Sequence, residues 1–266
     1  MPIDIKTSFE FHLDQPTDVL LQFQAADLPE QEILETETLL TKAQHIASVP
    51  AQDAIGCRVW VRAEGDYKVD YTARVEVNRL VTDVSRLAML DPHDLPGETV
   101  EYVFDSRYCQ ADRMQSFVAD EFGKYEGGEK IAAMRDWIHG NITYEAGRSD
   151  STTTALDTFV ERHGICRDFA HVMICFARAS TIPARFVSCY APGVEPQDFH
   201  AVAEVFLEDE TTPGGGAWYI VDPTMMADPA KTVKIGIGRD AADVSFLTSF
   251  GMSDFKDKTV EVKEAA

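Results

Sequence analysis

The sequence predicts an α+β protein: an antiparallel β-sandwich over residues 1–104, followed over residues 105–266 by helices packed on an antiparallel sheet. Three observations predict this arrangement. In the first segment, apolar and polar or β-branched residues alternate as they do in half-buried strands. From residue 108, apolar side chains recur three and four positions apart, which is the period of an amphipathic helix. Short β-type runs return after Pro183.

The first segment contains several β-type runs with no helical pattern between them, which favours a sandwich. The runs, separated by Pro, Asp and Gly, are IDIKTSFEF, DVLLQFQA, GCRVWVRA and YKVDYTARVEVNRL. The stretch LDPHDLPGETVEYVFDS, rich in Pro, Gly and Asp, then marks a change of composition. We therefore place a domain boundary near residue 105.

The second segment begins with helices. Apolar spacing predicts helices over residues 108–122 and 129–139. A third helix is predicted to begin after Thr154, which is a typical N-cap, with Asp157 completing a capping box at the third helical position. We expect Gly164 to end this helix, because glycine suits the position just after a helix C-terminus.

A fourth helix is predicted from about Cys166 to Ser180. Its apolar residues form one face, and Pro183 prevents much continuation. The three runs that follow, ARFVSCY, HAVAEVFL and AWYIVD, are of β type, and the last two are predicted to form a hairpin.

Composition excludes several classes of partner and cofactor. A formal net charge of −21 repels phosphate backbones, so we expect no nucleic-acid partner. The acidic residues lack the spacing of a calcium loop, and the five cysteines include no C-x-x-C pair that would suggest zinc. We therefore expect no metal and no cofactor. An odd number of widely spaced cysteines also argues against a disulfide scaffold and suits a reducing compartment.

The amino-terminal residues MPIDIKTSFEF lack the basic and apolar segments of a signal peptide. No run approaches the roughly 20 apolar residues that a membrane-spanning helix needs. We expect a cytoplasmic protein with no membrane association.

Cys166 is the candidate nucleophile. A cysteine reacts as its thiolate, and the unpaired N–H groups and positive dipole end of a helix N-terminus stabilise that anion. The same N–H groups can bind an oxyanion that forms during acyl transfer. Gly164, two residues earlier, would let the backbone turn sharply and leave the sulfur open to substrate.

His200 and Asp222 are the candidate base and its orienting carboxylate. If Phe206 pairs with Gly216 across the predicted hairpin, then His200 lies opposite Asp222. Directly opposite residues have Cβ atoms about 4.5–5.5 Å apart, close enough for the carboxylate to accept an imidazole N–H. The other ring nitrogen would then take the cysteine proton and return it to a leaving group.

Two polar residues of the fourth helix need separate interpretation. His171 is five residues beyond Cys166, about 500° around a helix, and so lies off its face. We retain His171 only as a candidate oxyanion or substrate contact. Asp168 is interpreted as a first-turn carboxylate that complements the helix dipole, or as a partner of Arg167 or Arg185.

Three ordered blocks resemble the transglutaminase-like superfamily, whose catalytic domain is papain-related. The block ALDTFVERHGICRDFAHVMICFARASTIPARFVSCY is similar to the family's nucleophile region, DFHAVAEVFL to its histidine strand and AWYIVDPT to its aspartate strand. The resemblance covers about residues 125–225 and implies the triad Cys166, His200 and Asp222. The preceding β-rich segment is similar to a domain that often accompanies bacterial members.

The resemblance also implies a side chain that helps to bind the oxyanion, and Tyr144 in NITYEAG has a suitable upstream position. Three features of related families are missing from the sequence: the tryptophan block and the calcium clusters of animal transglutaminases, and the zinc C-x-x-C pairs of peptide:N-glycanases. These departures favour hydrolysis over protein cross-linking or deglycosylation.

The leading hypothesis is therefore a cysteine protease or amidase that forms a thioester acyl-enzyme on Cys166 and acts on a peptide or protein. One alternative is a transglutaminase, in which an amine replaces water as acyl acceptor; the same triad serves both. A second alternative is a non-catalytic protein-binding module that keeps the fold. The sequence leaves open the physiological substrate, the role of the β-rich segment and the oligomeric state.

Overall fold

The computed structural model describes residues 1–79, 81–209, 211–212 and 215–265. It contains four α-helices: α1 (Gln115–Phe122), α2 (Gly127–Asn141), α3 (Ala155–Glu161) and α4 (Cys166–Ala179). Its strands are β1 (Ile3–Leu21), β2 (Gln31–Leu40), β3 (His45–Pro50), β4 (Cys57–Val77), β5 (Thr143–Tyr144), β6 (His163–Gly164), β7 (Ala184–Tyr190), β8 (His200–Glu208), β9 (Gly216–Val221), β10 (Val233–Gly238), β11 (Leu247–Ser249) and β12 (Asp254–Glu264). The predicted α+β class is confirmed.

The first sheet is antiparallel and is built on two long strands, β1 and β4, which pair with each other along most of their length. One half of the sheet runs β2, β4, β1, β12, and the other runs β3, β4, β1, β11. Apolar side chains from both halves belong to one buried cluster. The predicted sandwich is thus realised as one hydrogen-bonded sheet whose two halves share a core.

Each long strand contains most of two predicted β-type runs, the last of which ends at residue 80, outside the described residues. The register of β1 against β4 shifts between Leu13 and Thr17, where three residues on β1 oppose a single residue on β4. Pro16 lies in this irregularity, where its missing N–H costs no ladder hydrogen bond. The Pro, Asp and Gly residues that separate the runs in the sequence therefore mark a bulge within long strands, not a turn between short ones.

The end of the chain returns to the first sheet. Residues 254–264 of β12 and 247–249 of β11 both pair with β1. The segment predicted as a second domain, residues 105–266, therefore contributes two strands to the amino-terminal sheet. A boundary near residue 105 remains a prediction about chain organisation.

The second sheet carries the candidate site. Its order is β10, β7, β8, β9, and all its pairs are antiparallel. Helix α4 packs on one face, where Ala201, Ala203 and Val205 of β8 join its apolar side chains in a single cluster. None of the helices among the described residues is long and apolar enough to cross a bilayer.

A buried ion network joins this sheet to the amino-terminal segment. Glu204 of β8 is fully buried, 2.7 Å from Nη2 of Arg185 and 2.5 Å from Nζ of Lys234. Burial raises the pKa of Glu204, but the charges and hydrogen bonds of these two cations lower it to about 2. Lys234 also lies 3.0 Å from Glu30, which precedes β2. Arg185 is therefore occupied here and does not pair with Asp168.

Helix boundaries largely follow the prediction. Helix α4 begins at Cys166, and Thr154 and Asp157 form the expected capping box before α3. The end of α3 differs: Arg162 takes the left-handed conformation with φ 64°, while Gly164 lies in β6. Helix α1 starts at residue 115, later than predicted, because residues 111–114 form a tighter 3-10 turn.

Candidate active site

The N-terminus of α4 places Cys166 at the site. The Cys166 side chain is buried, with the residue 8% exposed. One carboxylate oxygen of the fully buried Asp168 accepts the Ile165 N–H at 2.9 Å, and the other accepts two hydrogen bonds from Arg167 at 2.9 and 2.7 Å. Asp168 thus caps the first turn of the helix and also pairs with Arg167, so it has both of the roles expected for it. This pairing orients the residues on both sides of Cys166.

Strands β5 and β6 place Tyr144 beside the N-terminus of α4. They pair in parallel, with Tyr144 beside Gly164. A Cβ atom at Gly164 would lie 2.7 Å from Cβ of Asp168, closer than real Cβ contacts allow. Glycine is therefore required here by close packing against α4, and Gly164 is not among the residues with positive φ. The expectation of a sharp turn at Gly164 is corrected accordingly.

The hairpin register differs from the predicted one. Ala203 pairs with Val221 and Glu208 with Gly216, so Phe206 does not pair with Gly216, and His200 is not directly opposite Asp222. The shift is two residues, which returns each side chain to the same face because strand side chains alternate with period two. His200 and Asp222 meet as diagonal neighbours, with Nε2 of His200 3.0 Å from Oδ2 of Asp222.

The turn after β9 holds the Asp222 carboxylate. Oδ1 accepts the Thr224 N–H at 2.8 Å, and Oδ2 accepts the N–H groups of Met226 at 3.1 Å and Ala227 at 2.8 Å. The Thr224 hydroxyl lies 2.7 and 2.9 Å from the two carboxylate oxygens. Burial raises the pKa of Asp222, but the hydrogen bond and charge of His200, with these donors, lower it overall. Asp222 is thus held as an anion in one orientation.

His200 is buried and interacts with both other members of the predicted triad. Burial lowers the pKa of His200, but the hydrogen bond to Asp222, the nearby Cys166 thiol and the negative charges of both partners raise it to about 10. Nε2 is occupied by Asp222, and among the described residues Nδ1 has no partner in good hydrogen-bond geometry. Nδ1 is therefore the nitrogen that remains for the proton of Cys166.

Tyr144 also lies against Cys166. Burial first, and then the charge and thiol of Cys166, raise the pKa of Tyr144 well above its ordinary value. The nearby main-chain N–H of Cys166 opposes this shift. A neutral Tyr144 hydroxyl and the Cys166 N–H are thus adjacent donors beside the sulfur.

The structure places His171 away from this group. Its ring is fully buried, stacked 5.3 Å from the Tyr108 ring, and its Nε2 accepts the Ala241 N–H at 3.2 Å. Burial lowers the pKa of His171 to about 3, so the ring stays neutral. A substrate cannot reach a residue in this position without opening the core, so the expected substrate contact is corrected and His171 has no part in the mechanism below.

Sequence reasoning missed three residues around the triad. Thr224 binds the Asp222 carboxylate, and Asp-x-Thr is a recognisable turn pattern that could have indicated it. Cys189 pairs with His200 across β7 and β8, and burial raises its pKa well above the ordinary value. Asp198 is near enough for its charge to act on Tyr144; it pairs with Lys258 of β12 at 2.6 Å. No local sequence pattern predicts this last contact.

One group of three side chains in the described chain could offer ligands to a metal ion: Asp91, His93 and Asp94. All three are exposed. None of them belongs to the triad. The site around Cys166 consists of the thiol of Cys166, the imidazole of His200, the carboxylate of Asp222 and the phenol of Tyr144. Such a set can carry out acyl transfer by proton transfer and a covalent intermediate.

Comparisons with known proteins agree with this geometry. The family described as "Transglutaminase-like superfamily" matches residues 111–223, which include all three triad residues. A solved structure from Cytophaga hutchinsonii, described as a "Putative Cysteine Protease", is 33% identical, covers 99% of this chain and 90% of its own, and superposes with a TM-score of 0.90.

Two uncharacterized mycobacterial proteins are also similar. One from Mycobacterium leprae is 25% identical over 70% of this chain, and one from Mycobacterium tuberculosis is 27% identical over 64%. These matches span 66% and 58% of the relatives' own lengths. Since the family match contains the whole triad and the similar solved structure superposes over nearly the entire chain, this protein belongs to the transglutaminase-like superfamily.

Proposed function

We propose that this protein is a cysteine protease or amidase that cleaves peptide or amide bonds through a thioester on Cys166. The observation that carries the proposal is the buried His200, which binds Asp222 through Nε2 and has Nδ1 left for a thiol at a helix N-terminus. A raised pKa of His200 favours transfer of the thiol proton to Nδ1, which produces the nucleophilic thiolate.

In the acylation step, the Cys166 sulfur attacks the carbonyl carbon and the carbonyl oxygen becomes an oxyanion. The Cys166 N–H and the Tyr144 hydroxyl would donate to that oxygen. The tetrahedral intermediate then collapses as the carbon–nitrogen bond breaks. His200 gives its Nδ1 proton to the departing amine, and the acyl group remains on sulfur as a thioester.

In the deacylation step, neutral His200 takes a proton from water, and the resulting hydroxide attacks the thioester carbonyl. The carbon–sulfur bond breaks, the carboxylic acid leaves, and the proton on His200 again neutralises the charge of the thiolate. Asp222 stabilises imidazolium in both steps without itself accepting the proton.

The test compares Cys166 with the more exposed Cys57, which is half-buried. If reactivity followed accessibility alone, iodoacetamide would label Cys57 first. We expect Cys166 to be labelled first, because only Cys166 has an imidazole partner and a helix N-terminus. Equal labelling of the five cysteines in the folded protein would contradict the proposal.

Turnover is then measured with a library of fluorogenic peptide amides, followed by a peptide library carrying a thiol-reactive group to identify the preferred sequence. Cys166→Ala should abolish turnover and leave the melting temperature nearly unchanged, whereas Cys57→Ala should retain turnover. A dansylated amine added to the same assay reports the acceptor: release of free acid supports hydrolysis, and incorporation of the amine in place of hydrolysis would refute it.

A further inference from the structure

The two edge strands of the second sheet, β10 and β9, differ in how the rest of the chain contacts them. At the β10 edge, the Ala26 N–H donates to the Lys234 carbonyl at 2.9 Å, and the Gln31 side chain binds both the N–H and the carbonyl of Lys234. The amino-terminal segment thus covers that edge. Strand β9 forms the opposite edge. The unpaired main-chain groups of an edge strand can form hydrogen bonds with a strand of another chain.

The hydrogen-bond pattern shows which main-chain groups of β9 point outward. The Asp209 N–H donates to the Gly215 carbonyl, which continues the β8–β9 register. Hydrogen-bonded pairs alternate in an antiparallel ladder, so odd-numbered residues of β9 bond to β8. The N–H and C=O groups of Trp218 and Ile220 therefore face away from the sheet. Within the described part of the chain, neither residue has a hydrogen bond on that side.

A cavity of about 880 Å³ runs along this edge. Every residue from Ala217 to Asp222 lines it. The other lining side chains are mixed: Val81, Val84, Leu87 and Ile131 are apolar, and Arg79, Asp83, Arg135 and Asp209 carry charges. Among the described residues no strand covers this edge, and its outward-facing main-chain donors and acceptors lie beside an open volume.

We propose that the β9 edge binds an extended segment of a protein substrate by strand addition. The four outward groups of Trp218 and Ile220 alternate as donor and acceptor, which is the pattern that an extended backbone complements and that a compact ligand does not. The mixed lining suits a segment that carries both apolar and charged side chains. A partner strand would lie about 4.8 Å from β9.

This inference rests on the proposed function, because it concerns how the same enzyme holds its substrate. Asp222 lines the cavity and directly follows the last residue of β9. Cys166 and His200 are not among the lining residues. The edge therefore acts as a secondary site that holds a segment of the substrate next to the active site, separate from the segment that is cleaved.

The direct test is amide hydrogen exchange on the Cys166→Ala protein, which prevents turnover, with and without β-casein as an unfolded protein probe. We expect the Trp218 and Ile220 amides to exchange readily in the free protein and at least tenfold more slowly with the probe. The Tyr219 amide, already bonded to β8, should be slow in both. Binding without protection of Trp218 and Ile220, or no binding, would overturn the proposal.

A pair of variants isolates the main-chain donor. Ile220→Pro removes the outward N–H, which an edge strand tolerates, and Ile220→Ala removes similar side-chain contacts but keeps the N–H. Since one hydrogen bond contributes about a factor of five in affinity, Ile220→Pro should bind β-casein about fivefold more weakly than Ile220→Ala. Equal affinities would overturn the proposal. If Ile220→Pro fails to fold, the exchange measurement with Ile220 intact decides.

Three further outcomes are distinguishable. Protection of these amides that grows with protein concentration and without β-casein would make a second copy the occupant, and would overturn the proposal. If the wild-type enzyme hydrolyses peptides but β-casein protects neither amide, the strand site fails while the proposed function stands. If β-casein protects both amides but no hydrolysis is found, the proposed function fails while strand binding at β9 stands.

Discussion

Replacement of Asp222 by Asn tests how much the negative charge and the hydrogen bonds of the Asp222 carboxylate contribute to stability and to catalysis. The Asp222 carboxylate accepts hydrogen bonds at both oxygens and has a donor on every side. An Asn amide has one acceptor oxygen and one NH₂ group. If the oxygen stays towards His200, Met226 and Ala227, the NH₂ group must face the Thr224 N–H, which loses its acceptor.

These contacts determine how much stability and activity the substitution should remove. A buried donor left without an acceptor costs about 1–3 kcal/mol, and breaking one side of a buried charge pair costs about 3–5 kcal/mol. We therefore expect the free energy of unfolding of Asp222→Asn to fall by about 3 kcal/mol. A similar loss of stabilisation of the His200 imidazolium in the transition state would lower kcat/KM about a hundredfold, since about 1.4 kcal/mol corresponds to a factor of ten.

The pH dependence gives a sharper readout. The folded pKa of His200 is raised to about 10, above its ordinary value of 6.5. The stability that this contributes is fully present below pH 6.5 and is lost as the pH rises through about 10. Without the Asp222 charge, the effect of burial on the pKa of His200 gains weight and that pKa falls. Asp222→Asn should therefore reduce the fall in stability between pH 6.5 and 10.

The assays are urea unfolding at several pH values and the pH dependence of Cys166 alkylation by iodoacetamide. Asp228→Asn is the matched control, because Asp228 accepts the Ala230 N–H in an exposed turn and contacts no triad residue in the described structure. The control should change stability little, because Asn and Asp serve about equally well at a helix N-cap, and it should leave both pH profiles unchanged. A wild-type pH slope retained in Asp222→Asn would refute the assigned coupling of His200 to Asp222.

Three other substitutions test individual contacts. Thr224→Val removes the hydroxyl that binds the triad carboxylate and should lower kcat/KM about tenfold, with recovery in Thr224→Ser; equal activity of the two variants would contradict a positioning role. Gly164→Ala brings a Cβ atom 2.7 Å from Cβ of Asp168 and should destabilise the protein by about 1–3 kcal/mol in urea unfolding. Gly140→Ala, whose new Cβ meets nothing within 4 Å, should be neutral or stabilising, and a similar loss in both would refute the packing argument. Tyr144→Phe removes one oxyanion donor and should lower kcat about a hundredfold with little change in KM; a change in KM alone would assign Tyr144 to substrate binding.

The active-site helix shows how far local sequence information extends. The start of α4 at Cys166 and the capping box before α3 were both predictable, because caps, breakers and apolar spacing act over only a few residues. The pairing of Asp168 with Arg167 is equally local. The role of Gly164 was not predicted although Asp168 is only four residues away, because the clash depends on the path that the backbone takes from β6 into α4.

The hairpin shows where pattern reasoning stops. Alternation assigned His200 and Asp222 to one face, and this survived a two-residue error in register because period two is insensitive to a shift of two. Alternation carries no information on which of the same-face registers forms. That choice depends on the turn and on side-chain packing across β7, β8 and β9, which are properties of the folded hairpin.

The sequence by itself determined the α+β class, the position of Cys166 at a helix N-terminus and the three residues to be brought together, because each depends on local periodicity, capping or an ordered set of motifs. Only the tertiary structure decided the direction of the imidazole, the support of Asp222 by its following turn, the burial of His171 and the return of β12 to β1. These features arise from contacts between residues far apart in the chain. Their free energies depend on packing and desolvation, which no local pattern of residues records.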